Sequence, residues 1–81
     1  MKWKKIRDRA VAGNISIMYE KGPITVEIFR DSTWTHRGNA NVIVRNADYP
    51  SYGLHGRTID VFHGGTMEEA KEWAKKYMKE N

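Results

Sequence analysis

Three histidines, at positions 36, 55 and 63, are the residues most able to bind a metal. A zinc site takes three or four convergent nitrogen, sulfur or oxygen ligands. These imidazoles lie nineteen and eight residues apart, with no H-x-x-x-H pair, and nothing in the spacing of Asp31, Asp48 and Asp60 completes a cluster. Cysteine is absent, so disulfides and thiolate sites are excluded. The reading is histidines of turns and surface, with no metal and no cofactor. Nucleophilic catalysis would need a hydroxyl beside a base and an orienting acid. Ser16, Ser32 and Ser51 have no nucleophile-elbow pattern around them, and the acids are too scattered to single out a pair. An enzyme is not expected.

His63-Gly64-Gly65-Thr66 is a glycine-rich entry to a helix, a type of site where exposed N–H groups can hold phosphate. Glu68 and Glu69 would repel an anion there, and the lysine and glycine spacing of a P-loop is missing. The expected role of the two glycines is to let the chain reverse over a sheet edge.

Basic residues interleaved with aromatics point towards binding. Trp3 sits among Lys2, Lys4, Lys5, Arg7 and Arg9; Trp34 and His36 lie near Arg30 and Arg37; Tyr49 and Tyr52 share a stretch with His55 and Arg57. Sheets that offer stacking rings in a positive groove bind single-stranded nucleic acid. Tyr, Trp and Arg serve protein interfaces equally well, and lysines on an edge strand guard against aggregation. The RNP pattern of an RRM and the GXXG of a KH domain are both missing.

The elements that must position these residues are mostly strands. Ile15-Ser16-Ile17-Met18-Tyr19 and Ile24 to Arg30 alternate, with Ile15, Ile17 and Tyr19 on one face of the first run and Ile24, Val26 and Ile28 facing together in the second. Lys21-Gly22-Pro23 between them predicts an antiparallel hairpin. Asn41–Arg45 and Thr58–Phe62 are further β-rich runs, and Trp3–Val11 is read as another strand, turning at Gly13-Asn14. Residues 31–40 are read as a strand extension turning at Gly38-Asn39 or as an open loop, and 46–57 as a loop. Thr66 with Glu69 is a capping box opening a helix over Met67–Lys79, whose apolar stripe is Met67, Ala70, Trp73, Ala74, Tyr77 and Met78. The predicted fold is α+β: an antiparallel sheet of about five strands with one C-terminal amphipathic helix packed on one face, forming a single domain over 1–81. Ile17, Val26, Ile28, Val44, Ile59 and Val61 are the expected sheet core. Trp73 is expected largely buried beside Ala70 and Tyr77, and Trp34 partly exposed.

Composition agrees with a small globular chain: 81 residues, 40% hydrophobic and 30% charged, with a formal net charge of +4. A chain this short buries roughly 60–65% of its unfolded surface, so its stability is modest unless a partner adds burial. No apolar run is long enough to span a membrane and none follows the basic N-terminus, which is not a secretory signal. The expectation is a soluble, cytoplasmic protein. The net charge permits contact with phosphate backbones or acidic proteins.

The ending Gly65-Thr66-Met67-Glu68-Glu69-Ala70-Lys71-Glu72-Trp73-Ala74 resembles a closing helix common in small proteins carried by phages and other mobile elements. Those proteins pair a β-meander with one such helix, and several inhibit host machinery, anti-CRISPR proteins among them. The likeness lies in the C-terminal helix and transfers no functional residue. It implies a non-enzymatic binding protein that inhibits or modulates a host protein or nucleoprotein complex in the host cytoplasm. Recognition would fall to the two loops, because loops on a rigid sheet usually carry it. Trp34, His36, Arg37, Tyr49, Tyr52 and Arg57 are the expected partner-binding residues. The alternative is a small basic single-stranded DNA- or RNA-binding module, with an exposed sheet edge as its route to a homodimer.

Overall fold

A computed structural model describes residues 2–30, 39–47 and 57–81. Five strands, β1 (Lys4–Val11), β2 (Asn14–Lys21), β3 (Ile24–Arg30), β4 (Ala40–Asn46) and β5 (Arg57–Gly65), precede one helix, α1 (Met67–Glu80). The strands form a single antiparallel sheet in the order β1-β2-β3-β4-β5, so β1 and β5 are its edges. The βββββα architecture is the one the alternation and the capping box predict.

Register explains the core. Ile17, Ile28, Val42 and Phe62 lie opposite one another across β2 to β5, and Tyr19, Val26 and Val44 form the next row. Residues directly opposite in an antiparallel pair share a face. That face meets the helix: Val26, Ala40, Val42, Val44, Ala70 and Ala74 are fully buried, with Ile17 and Ile28 nearly so. Alanines at both contact points let the backbones approach closely. α1 lies over β3, β4 and β5.

The capping box forms as predicted. Glu69 N–H donates to Thr66 Oγ1 at 3.1 Å, and Thr66 N–H donates to Glu69 Oε1 at 3.2 Å. These bonds occupy donors that an anion would need. Gly64 adopts φ +77° where the chain leaves β5, and a Cβ on Gly65 would stand 2.5 Å from the Phe62 ring. The glycines therefore serve the chain reversal.

Two expectations are corrected. The first turn is Ala12-Gly13, both with positive φ (52° and 84°), and Asn14 already belongs to β2. Two left-handed residues match the twist of a two-residue hairpin. Ile59 and Val61 are exposed, at 43% and 39%, not core. Their alternation against Asp60 and Phe62 was legible, but the large ring of Phe62 takes the helix side, Val61 pairs with Ile43 on the other face, and Ile59 falls in a register shift between β4 and β5. Trp73 packs against the core as expected, though less completely buried than Ala70 and Ala74, where the helix presses closest. Its indole is displaced towards β5, stacked on Tyr77 at 5.8 Å between centroids and tilted against Phe62 at 6.1 Å. Truncation of a fully buried Trp costs about 3–5 kcal/mol. Here Trp73→Ala should cost about 2 kcal/mol in a urea melt; an unchanged midpoint would place the ring outside the packed layer.

Candidate partner-binding surface

Among the described residues, α1 covers one face of the sheet and no helix covers the other. On the helix-free face, Arg7, Met18, Glu27, Ile43 and Val61 form a row across all five strands. At its centre the Glu27 carboxylate is 3.4 Å from Arg7 and 3.4 Å from Arg45, and Ser16 donates to it at 3.1 Å. Arg7 also reaches the Ser16 hydroxyl. The acid is matched twice over, so the network keeps a surplus positive charge. Met18, Phe29 and Ile43 are half-buried around it, and Val61 is exposed at its β5 end. Asn41, buried on this side, accepts from Gly64 N–H at 3.3 Å and lies 3.2 Å from His63 Nδ1.

β1 extends this surface and differs from every other strand. All eight of its residues are exposed. Within residues 2–11 the five basic residues Lys2, Lys4, Lys5, Arg7 and Arg9 share the segment with a single acid, Asp8, so it carries +4, the whole formal charge of the chain; the nine basic residues elsewhere are equalled by nine acids. Lys5 contacts Asp8 at 3.2 Å and lies over the Tyr19 ring at 5.8 Å. Its pKa is raised above the ordinary lysine value, chiefly because Asp8 accepts its hydrogen bond.

The helix side uses most of the described aromatics for packing. Trp3 donates its indole N–H to the Met78 carbonyl at 2.9 Å and meets Tyr77 edge-on at 6.5 Å. Lys21 lies over the Trp3 ring at 5.7 Å and reaches the Asn81 carbonyl. Tyr77 has its pKa raised, first by burial and then by the charge of Asp60. An open groove of about 670 Å³ runs between α1 and β5, lined by Phe62 and Trp73 with Glu69, Glu72, Lys75, Lys76 and Lys79. Among the described residues, no three His, Asp or Glu side chains group to hold a metal ion.

Of the partner-binding residues expected from sequence, Trp34, His36, Arg37, Tyr49 and Tyr52 lie outside the described residues. Arg57 is exposed at the start of β5, opposite Asn46. The described flanks of the two stretches stand at opposite ends of the sheet: Arg30 pairs with Ala40 at one end, and Asn46 with Arg57 at the other. The seven residues of β4 separate these ends by roughly 20 Å. Sequence reasoning missed the helix-free face and the fact that residues 2–11 account for the whole formal charge of the chain. Apolar residues on both parities of β2 to β4 (Met18, Phe29 and Ile43 beside the core positions) signal the first, and a charge count by segment signals the second.

Compared with known protein families, curated proteins and solved structures, the chain matches none. Its class rests on architecture alone: an α+β chain with an open five-stranded meander and one closing helix. Among the described residues, no helix is long and apolar enough to cross a membrane.

Proposed function

We propose that the chain is a non-enzymatic binding protein that modulates a host macromolecular complex, in the manner of the mobile-element proteins its closing helix resembles. The observation that carries this reading is the helix-free sheet face, where the exposed Val61 and half-buried Met18, Phe29 and Ile43 surround a matched Arg7–Glu27–Arg45 network. A face of this kind has apolar area to desolvate and charges to set register, the combination that protein interfaces use. The host cytoplasm is the compartment that goes with this reading.

The nucleic-acid alternative has less support. It needs rings free to stack, and among the described residues Trp3, Tyr19, Phe62, Trp73 and Tyr77 pack against the helix–sheet core. Immobilised chain should recover one defined protein assembly from a nuclease-treated host lysate. An Ile59→Asp, Val61→Asp variant with an unchanged melt should recover none. Recovery that disappears with nuclease, or that survives the double substitution, would sink the proposal.

A further inference from the structure

We propose that β1 is a docking edge for an acidic, extended peptide segment, which adds to the sheet as a sixth strand. This rests on the protein-binding reading and names the partner's chemistry.

Position comes first. β1 is an edge strand, so its outward-facing backbone N–H and C=O groups have no neighbouring strand among the described residues. The helix lies over β3, β4 and β5, which leaves β1 exposed at every residue. Its place in the fold rests on pairing with β2, and it adds no side chain to the core. An eight-residue strand with no buried residue is poorly explained by stability.

Charge then selects the occupant. Residues 2–11 carry +4, the full formal charge of the chain. A second copy is disfavoured, because pairing β1 with β1 would set like charges side by side. A neutral strand would gain nothing from the lysines and arginines. An acidic strand would gain main-chain bonds and ion pairs together, which is β-strand addition with charge selection. The basic groups lie on both faces of β1: Lys5 shares the face of Tyr19, whereas Arg7 and Arg9 share that of Met18 and Ser16. A strand laid along the edge presents side chains to both faces and meets both sets. A ligand resting on one face would meet only part of them. Neither Lys4 nor Arg9 forms an ion pair among the described residues, so these two cations are available.

The test uses the full chain and a fluorescein-labelled peptide of repeated Glu-Glu-Thr-Thr, eight residues long to match β1, which places carboxylates on both faces of the added strand. Anisotropy should show saturable binding that weakens as salt rises. The Lys4→Gln, Arg9→Glu variant lowers the segment from +4 to +1 without touching a buried residue. It should melt as the parent does and bind roughly tenfold more weakly or worse. Two further peptides carry the same charge but are N-methylated at alternate residues or at every residue. The first keeps one free edge to pair with β1 and should bind, whereas the second keeps none and should lose binding. Equal binding by both would show attraction by charge alone and overturn strand addition. An oligonucleotide that binds more tightly than the peptide, with the same loss in the variant, would assign β1 to nucleic acid instead. If the lysate partner is recovered equally by the parent and by this variant, the binding-protein reading stands and the β1 site falls. If neither recovers a partner and the peptide does not bind, both fall.

Discussion

An aspartate placed at Val26 should leave the chain unable to fold at neutral pH. Val26 sits in the middle strand of the sheet, fully buried between Tyr19 and Val44 and under the helix. An unpaired carboxylate there has no cation within the apolar layer and costs several kcal/mol even after relaxation. At about 0.05–0.15 kcal/mol per residue, a chain of this length has only about 4–12 kcal/mol in total. Circular dichroism should show no cooperative melt. The matching substitution Val61→Asp, on an exposed valine of the same sheet, should cost within about 1 kcal/mol. A cooperative melt for Val26→Asp, or collapse for Val61→Asp, would invert the assignment of faces.

Loss of Trp3 should be the next largest effect. Its ring joins the start of the chain to the end of the helix, through the indole bond to Met78 and the edge contact with Tyr77. Trp3→Ala removes a half-buried ring and that bond together, and should cost about 3 kcal/mol. Trp3→Phe keeps much of the ring contact and loses only the donor, so about 1 kcal/mol is expected. Urea midpoints measure both. An alanine variant as stable as the parent would mean that the N-terminal segment is not fastened to α1.

The helix itself could be read directly from the chain. Thr66 and Glu69 make a local signal, because a capping box needs only residues three apart. The strands were legible for a related reason: period-two alternation at Ile15–Tyr19 and Ile24–Ile28 declares a pleated element with one apolar side. Hairpin chemistry at Gly22-Pro23 then made the pairing antiparallel. All of this rests on interactions a few residues long.

The tertiary structure alone decided which side of β5 faces the helix. β5 carries apolar groups on both parities, Ile59 and Val61 on one and Phe62 on the other, so alternation by itself leaves two solutions a single residue apart. Packing against Trp73 and the close approach at Gly65 select Phe62, and Val61 is left to the helix-free face. The same holds for Trp73: helical spacing puts it in the apolar stripe, but only the closeness of helix and sheet at Ala70 and Ala74 moves the large ring to the flank. The candidate surface depends on such long-range placement most of all. The charges of residues 2–11 were visible in the sequence, whereas their standing on an edge strand that the helix leaves bare follows from the strand order and from the path of α1 over β3, β4 and β5.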